Sequence, residues 1–475
     1  MLKNHPGYVL LALLLGVTAY RAWVVATNGL TLYVDEAQYW YWAQQLAWGY
    51  YSKPPVIASL IAATTSVCGD SEFCIRSGSL LMYPLSTVVL FLLAKYLFDI
   101  KTALVAAVLF FTLPAVSLSS SLISTDVALF FCWTLALYAF ARARDTDAWR
   151  DWAILGIALG IGMLSKYTMG IFCVSALWWI ALEKRWEMLR NPRAWGAVGL
   201  AAVIFAPNLW WNWENGFPTF HHTADIAAAS KSGALHWDEL GEFFLGQFGV
   251  FGVVLFPVFV WVAWKVTNPH KRFLLCFALP FLVLISLQAF VGRANANWAA
   301  PTYVAATLLV AAWLVEKRTL FWSALFINVV FGVLLYHPAP LNHWLHTDIQ
   351  KRLKGWDSIG KQYTQLQKHY PRALLLSDDR AVLSELAYYA RPAGMQGVSW
   401  NPRGLVRHHY DLVTTLGDKK GRDFLFVTDD KLSPKLTGYF AGVEKVGSLR
   451  KIITPKFGLN FDVYLLKDFK GVKAQ

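Results

Sequence analysis

Three carboxylates in this sequence stand where a hydrophobic segment ends or begins. Asp35 and Glu36 follow the first apolar stretch, and Asp126 lies in SLISTDVALFF, at the start of another. A carboxylate beside hydrocarbon is costly unless it is paired, hydrated or bound to a metal, so such residues are functional candidates. We therefore predict that Asp35, Glu36 and Asp126 are catalytic. The alternatives are a solvated loop for the first two and a helix N-cap for Asp126.

Three cations occupy similar positions. Lys53 precedes a Pro-Pro pair, Lys166 lies in GMLSKYTMG between apolar residues, and Arg293 lies in VGRANANWAAP with Asn295 and Asn297. A lysine in such a place either snorkels to the surface or holds a phosphate at the headgroup level. Carboxylates and cations at one membrane edge suit a base acting beside a departing phosphate. We predict that the three cations bind a lipid-linked phosphate and that the two asparagines contact substrate.

The composition indicates which elements position these residues. The chain has 475 residues, of which 56% are hydrophobic and 15% charged, with a net charge of +13. Soluble domains are about 45–50% apolar and about 25% charged. The first 337 residues hold 21 Lys and Arg and 17 Asp and Glu, whereas the last 138 hold 22 and 13. This distribution predicts a membrane domain over 1–337 and a basic soluble domain over 338–475, and it argues against a nucleic-acid partner.

Crossing a bilayer takes about 20 mostly apolar residues. Eleven apolar segments have about this length, at 8–27, 80–98, 102–118, 125–141, 152–165, 167–182, 194–212, 243–264, 273–291, 298–315 and 319–337. Lys and Arg in the connecting segments are concentrated on the side of the N-terminus, which the positive-inside rule makes cytoplasmic. An odd number of spans then puts the tail outside. We predict an α-helical polytopic membrane protein with about eleven to thirteen transmembrane helices and a small C-terminal α/β domain.

Two long segments, 28–79 and 213–242, fall on the predicted outer face. The first contains an aromatic stretch from Tyr39 to Trp48 at helical spacing, which fits an interfacial helix or a plain aromatic belt. We predict that Tyr39 contacts substrate. The second contains His221 and Asp225, four residues apart, which one helix face could present to a divalent metal. The alternative is that both are simply exposed.

Other signals leave alternatives open. Cys68 and Cys74 are six residues apart on the outer face, and they either pair or remain free thiols. Asp145-Thr146-Asp147 has the Asp-x-Asp spacing of metal-binding nucleotide-sugar transferases, but it lies in RARDTDAWRD, a charged inner loop that favours plain solvation. The sequence has no Gly-rich phosphate loop. Nucleotide sugars are cytoplasmic, so an outward-facing site needs a sugar carried across on a lipid.

The tail shows the alternation of a small α/β domain. Asn342 to Tyr370 predicts an amphipathic helix, and AVLSELAYY a second helix. RALLLSDD, MQGVSW and DFLFVTDD predict strands, while KVGSLRKIIT and FDVYLLKDF predict a closing antiparallel pair. Asp378-Asp379 end a strand, where either a ligand or a plain turn is expected. The net positive charge of the tail either favours binding to an anionic surface or serves solubility.

Several of these motifs, taken together, resemble those of a known enzyme superfamily. The Asp35-Glu36 pair, the aromatic stretch, the Lys-Pro-Pro at Lys53, Ser124-Thr125-Asp126 and Lys166 together resemble the polyprenol-phosphate-sugar glycosyltransferases of the GT-C fold, over residues ~1–340. That superfamily includes protein O-mannosyltransferases and the bacterial aminoarabinose and galacturonic acid transferases that act on lipid A or its core. One departure is Gln38, since the aminoarabinose enzymes carry an Arg soon after the Asp-Glu pair.

The resemblance implies roles for several residues. It makes Asp35 the catalytic acid of the first loop and Lys53 a contact of the donor phosphate. It makes Asp126 a second acid near the site and Lys166 a lysine of the same cavity. Members are often dependent on a divalent metal ion, which keeps a metal cofactor open.

The expected function is that of a bacterial inner-membrane glycosyltransferase with its site and tail on the periplasmic face. It would move a sugar from a polyprenyl-phosphate donor to lipid A, lipopolysaccharide core or another glycolipid, with membrane lipids as its surroundings. A protein O-mannosyltransferase and a transporter of lipid or polysaccharide are the alternatives. A transporter places its charges near the bilayer midplane and often has internal repeats, whereas here the charges cluster at one edge.

Overall fold

The computed structural model describes residues 6–228, 235–265 and 268–472. The chain is predominantly helical and divides into two compact units. The first unit comprises Met1–Thr27, Lys53–Leu60 and Arg76–His337, and the second comprises Asn28–Ser52, Ile61–Ile75 and Pro338–Gln475. The division after His337 coincides with the predicted domain boundary. The first outer segment differs, because we placed it in the domain 1–337, whereas most of it belongs to the second unit.

The helices up to residue 336 follow one another with short connections. They are α1 (Pro6–Thr27), α2 (Val34–Ala43), α3 (Val56–Cys68), α4 (Glu72–Leu97), α5 (Ile100–Thr112), α6 (Pro114–Ser119), α7 (Thr125–Thr146), α8 (Trp149–Ser165), α9 (Ile171–Leu182), α10 (Pro192–Glu214), α11 (Pro218–Ala228), α12 (Trp237–Phe251), α13 (Leu255–Trp264), α14 (Pro269–Val291), α15 (Thr302–Leu314) and α16 (Arg318–Tyr336). Short 3-10 helices cover Tyr167–Gly170 and Ala296–Ala299. Of these elements α2 belongs to the second unit, and α3 and α4 each run through both.

Within the described ranges, six helices are long and apolar enough to cross a membrane: α1, α4, α7, α10, α14 and α16. Each overlaps one of the predicted spans. Others are shorter, because the predicted span 102–118 is divided between α5 and α6 at Pro114, and α15 has only 13 residues. The apolar helix α3 lies within the segment 28–79, for which the sequence predicts an outer loop.

The predicted span at 243–264 is not one straight helix. It consists of α12 and α13, which are bent by 108° relative to each other. Gly252, which ends α12, has a φ of 109°, a conformation that L-residues with side chains rarely adopt. The chain therefore turns sharply at this glycine, and the pair is either a broken span or a re-entrant segment.

The helices α8 and α10 pack closely because glycines face the contact. A Cβ atom at Gly156 would lie 2.6 Å from the Ala197 carbonyl oxygen, and one at Gly160 would lie 2.7 Å from Cβ of Ile204. Small residues of this kind let helix backbones approach each other in membrane proteins. The contact fixes α8, and with it Lys166 at its C-terminal end, against α10.

The second unit is the predicted α/β domain with α2 packed on it. Beyond α16 its elements are α17 (Ala339–Leu345), α18 (Trp356–Gln367), β1 (Leu374–Ser377), α19 (Arg380–Tyr389), β2 (Val398–Ser399), α20 (His409–Val413), β3 (Phe424–Thr428), α21 (Pro434–Thr437), β4 (Phe440–Thr454) and β5 (Phe457–Phe469). The five strands form one sheet in the order β2-β1-β3-β5-β4. β1 is parallel to β2 and β3, whereas β5 is antiparallel to β3 and β4. The predicted strands and the closing antiparallel pair are thus confirmed.

Alternation of apolar residues along the strands gives the sheet two covered faces. Leu375 of β1 packs in a cluster with α18 and α19, whereas Leu376 packs in the opposite cluster with Phe424 and Phe440. The single helix predicted over 342–370 is wrong. α17 ends at His346 in the left-handed conformation, and α18 begins only after Gly355, which has a φ of 97°.

Candidate functional site

Asp35 lies in the first turn of α2, in the second unit. The start of this helix is stabilised by Glu36, whose Oε2 accepts a hydrogen bond from the Tyr33 backbone N–H at 2.9 Å. This is the reciprocal contact of a capping box, and it leaves Glu36 only 2% exposed. The structure thus gives Glu36 a helix-capping contact, and a catalytic role for it stays a prediction.

The Asp35 carboxylate is held by an arginine from the tail. Arg380 Nη1 donates to Asp35 Oδ1 at 2.7 Å and to Gln38 Oε1 at 2.8 Å. The side chain of Asp35 remains 43% exposed. Burial alone would lower the pKa of Arg380, but the charge of Asp35 and the hydrogen bond to it raise that pKa above its ordinary value. Arg380 therefore stays charged beside Asp35.

Arg380 is placed by the start of its own helix. Asp379 is the N-cap of α19 and accepts a hydrogen bond from the Ala381 backbone N–H, so Arg380 is the first helical residue. Asp379 is thus a helix N-cap and not a plain turn residue, and a ligand at Asp378-Asp379 stays a prediction. Sequence reasoning missed Arg380, because 345 residues separate it from Asp35 and no local pattern marks it.

Tyr39 is packed rather than open to a ligand. It is 4% exposed, and its ring centroid lies 5.1 Å from that of Trp42. Trp42 in turn stacks on Tyr50 at 4.5 Å. The part of the aromatic stretch that lies in α2 is therefore packed, whereas Trp48 follows the helix and is 57% exposed. A substrate contact by Tyr39 stays a prediction.

In the first unit the structure brings together Asp126 and Lys166, as the sequence predicted for one site. Lys166 Nζ lies 2.7 Å from Asp126 Oδ1, and the two side chains are 19% and 13% exposed. Asp126 is in the first turn of α7, where N-cap Ser124 precedes it, so the N-cap alternative for Asp126 itself is wrong. Lys166 follows α8 in an extended conformation. Its ammonium group is paired with a carboxylate in this structure.

A set of polar side chains that the sequence analysis did not select follows Lys166. The Tyr167 hydroxyl donates to Asn208 Oδ1 at 2.7 Å, and Asn212 Nδ2 donates to the Tyr167 oxygen at 3.2 Å. Both asparagines are fully buried in α10. Their signal was visible in APNLWWNW, where two amides four residues apart share one face of an apolar helix.

The remaining predicted residues lie on connecting segments. Lys53 is half-buried in the turn before α3, whereas Arg293, Asn295 and Asn297 are exposed between α14 and α15. In the described part of the chain, the side chains of these last three form no hydrogen bond or ion pair with Asp126 or Lys166. Their roles at the donor phosphate and the substrate stay predictions.

His221 and Asp225 are both exposed on α11. Across the described residues no group of three or more His, Cys, Asp or Glu side chains is placed to hold a metal ion. Two exposed ligands on one helix do not fit a dedicated site, so we derive no step through a metal. Residues 229–234 of the predicted outer segment lie outside the described residues.

The Asp-x-Asp spacing in the inner loop has a structural use. Asp147 accepts hydrogen bonds from Trp152 Nε1 at 2.8 Å and Asn191 Nδ2 at 2.7 Å, and it pairs with Arg193. The hydrogen bonds from Asn191 and Trp152 lower the pKa of Asp147. These contacts join α7, α8 and α10 at one end, so Asp147 has a structural role and is not simply solvated, as the sequence favoured.

Comparison with known proteins decides the family. The family described as dolichyl-phosphate-mannose-protein mannosyltransferase matches residues 52–211. The chain is 32% identical over 442 residues to the lipid A galacturonosyltransferase RgtD of Rhizobium johnstonii, covering 88% of this chain and 90% of that protein. The chain belongs to the GT-C superfamily of polyprenyl-phosphate-sugar glycosyltransferases. This GT-C enzyme is also 32% identical, over 42% of its length and 41% of the relative, to the lipopolysaccharide core galacturonosyltransferase RgtA of the same organism.

The fold of the GT-C enzyme agrees with this. The crystal structure of ArnT from Cupriavidus metallidurans bound to undecaprenyl phosphate superposes with a TM-score of 0.67, covering 97% of this chain and 98% of that one at 14% identity. The apo structure of the same protein gives 0.64. At this identity the likeness establishes the fold alone. The predicted GT-C fold, with membrane helices followed by a second domain, is confirmed at that level.

Proposed function

We propose that this enzyme transfers a sugar from a polyprenyl phosphate to lipid A or the lipopolysaccharide core, on the periplasmic face of the bacterial inner membrane. The observation that carries the proposal is the 32% identity to a lipid A galacturonosyltransferase over 88% of the chain. Because that relative and the core enzyme both carry galacturonosyl names, we further propose that the donor sugar is a uronic acid.

Asp35 supplies the base in this proposal. The acceptor oxygen attacks the anomeric carbon of the donor, and the bond between that carbon and the phosphate oxygen breaks. The acceptor proton passes to Asp35 Oδ2, since Arg380 holds Oδ1. A positioned base of this kind contributes about 10²–10⁴-fold to the rate.

The departing group is the polyprenyl phosphate, which leaves with the electron pair of the broken bond. We propose that Lys53, Lys166 and Arg293 stabilise its negative charge, because cations aimed at a developing oxyanion stabilise the transition state. Lys166 is engaged by Asp126 at 2.7 Å, so this proposal requires it to contact the donor in addition to Asp126 or in its place. Asp126 then acts by positioning the lysine.

The predicted orientation of the protein in the membrane supports a lipid-linked sugar donor. With the predicted topology, the N-terminus is cytoplasmic and the tail is periplasmic. Nucleotide sugars do not reach that face, whereas a polyprenyl carrier does.

The test uses the full-length protein in lipid nanodiscs with labelled galacturonic acid on undecaprenyl phosphate, and lipid A as acceptor. We expect label in lipid A, no transfer from UDP-galacturonic acid, and little from an aminoarabinose donor. A serine- and threonine-rich peptide serves as the rival acceptor, and an EDTA arm tests the predicted metal requirement. Transfer from the nucleotide sugar alone, or to the peptide alone, would refute the proposal.

A further inference from the structure

The second unit carries a concentrated basic surface at the end of its β-hairpin. It consists of residues 348–356, which precede α18, and residues 450–457 at the turn between β4 and β5; we name it the tip surface. The two segments lie side by side. Lys351 Nζ is 5.6 Å from the centroid of the Phe457 ring, and a Cβ atom at Gly355 would lie 3.0 Å from Cγ of Lys451.

The charge of the tip surface is nearly all of one sign. Its basic residues are Lys351, Arg352, Lys354, Arg450, Lys451 and Lys456. Its acidic residue, Asp348, is already paired with Lys354 at 2.5 Å. The surface thus carries much of the tail's positive charge within a few residues of one hairpin turn.

Exposed apolar side chains stand beside these charges. Ile452, at the turn, is 83% exposed, and Trp344 of α17 is 75% exposed. Ile349 is also exposed, and its backbone N–H donates to Asn342 Oδ1 at 3.0 Å, which ties it to α17. Exposed isoleucine and tryptophan among lysines are the composition of a surface that lies in a membrane interface.

In the sequence, this region follows shortly after a candidate membrane helix. α16, which is long and apolar enough to cross a membrane, ends at Tyr336, and α17 begins at Ala339. The exposed Trp344 therefore follows within eight residues of a candidate span. Aromatic residues at that distance are typical of the headgroup region.

A weaker explanation for the basic residues of the tip surface is that they protect an exposed sheet edge. β4 is an edge strand, and lysines on an edge strand do discourage aggregation. However, the edge at Arg450 is already occupied, because Gln362 accepts from the Arg450 N–H and donates to its carbonyl oxygen, both at 3.0 Å. Edge protection would also not place an isoleucine at the turn.

We propose that the tip surface binds the anionic phospholipid headgroups of the bilayer that α16 enters, with Ile452 inserted among them. Each basic residue near an anionic membrane strengthens association by about fivefold. This docking would orient the second unit on the membrane surface, and it holds whether or not the enzyme uses the proposed sugar donor.

The test places an environment-sensitive dye on Ile452→Cys in the full-length protein. Cys173→Ala removes the exposed free thiol, while Cys132 and Cys276 are buried. Emission is compared in nanodiscs of phosphatidylcholine and in nanodiscs containing about one-third phosphatidylglycerol. We expect the anionic lipid to raise emission about twofold or more, and about 0.5 M NaCl, which shortens the screening length to about 4 Å, to reverse the rise.

A charge-matched pair of variants controls the experiment. Lys451→Glu with Lys456→Glu should abolish the rise. Lys420→Glu with Lys435→Glu makes the same change of charge at the other end of the hairpin, about 40 Å along the strand, and should leave the rise intact. Equal emission in the two lipids, or a rise that both variant pairs retain, would overturn the proposal. A rise that needs lipid A instead of phosphatidylglycerol would also overturn it, in favour of acceptor binding.

Discussion

At Asp35, a guanidinium group from the tail holds one carboxylate oxygen, while the side chain stays 43% exposed. Arg380 is therefore a positioning residue, and its loss should act on turnover more than on binding. A charge-assisted hydrogen bond contributes about 1.5–3 kcal/mol, so Arg380→Gln should lower kcat about 10- to 150-fold. Arg380→Lys keeps the charge but reaches fewer acceptors, and should recover part of the loss.

Steady-state kinetics of the purified protein check this, with Arg403→Gln as the control, since Arg403 is exposed and, among the described residues, forms no hydrogen bond or ion pair with Asp35. A rise in KM with kcat unchanged would mean that Arg380 binds substrate and does not position the base.

The pair formed by Asp126 and Lys166 should behave as one unit. Both side chains are less than one-fifth exposed, and removing one partner of a buried pair leaves an unpaired charge that costs about 3–5 kcal/mol. Asp126→Asn and Lys166→Met should each destabilise the protein, and the double variant should lose less stability than the two single losses added together. Thermal unfolding of the wild type and the three variants in detergent gives this double-mutant cycle.

The exposed pair Glu444 and Lys467, at 3.1 Å, is the matched control and should couple by no more than about 1 kcal/mol. Additive effects at Asp126 and Lys166 would contradict the pairing.

At the scale of elements, packing of α20 against α2 should depend on pH. His409 of α20 lies 5.3 Å from the Trp42 ring and 5.7 Å from the Tyr50 ring. Burial, with a smaller effect of His408, lowers the pKa of His409 to about 3. The folded state thus keeps this histidine neutral while the unfolded chain takes up a proton below about pH 6.5, so stability falls as the pH falls.

The expected loss is about 2 kcal/mol between pH 7 and pH 5, at about 1.4 kcal/mol per unit below pH 6.5. Proteolysis of the tail in the full-length protein should accelerate over this range. His409→Phe should flatten the dependence, and His369→Phe, at an exposed position, should not. Equal slopes for the two variants would rule out His409 as the cause.

Local pattern predicted most of these elements and some of their contacts. The strands of the tail followed from alternation of apolar residues. The placement of Asp126 and Lys166 at one edge was predicted, whereas the ion pair between them was not. The sharp bend at Gly252 and the break before Gly355 were missed because each depends on a single backbone conformation within an otherwise helical pattern. The contact of Arg380 with Asp35 could not be predicted, since it joins elements 345 residues apart.

At the scale of the whole molecule, orientation decides which donors are available. Glu316 lies in the connection between α15 and α16 that is predicted to be cytoplasmic, and Lys435 lies in the tail; both are exposed. In right-side-out membranes, a cysteine at Lys435 should react with an impermeant thiol reagent, whereas one at Glu316 should react only after permeabilisation. Labelling at Glu316 in intact membranes with silence at Lys435 would invert the topology and remove the argument for a lipid donor.

The central claim is that Asp35 takes the acceptor proton in a transfer from a polyprenyl-phosphate sugar. The direct measurement is single-turnover formation of labelled lipid A by folded Asp35→Asn, at saturating donor and beside Asp357→Asn, which neutralises an exposed carboxylate of the tail. The account predicts that Asp35→Asn slows the transfer about 10²–10⁴-fold, since it removes a general base, while Asp357→Asn keeps the wild-type rate. A rate for Asp35→Asn within a few-fold of wild type would contradict it.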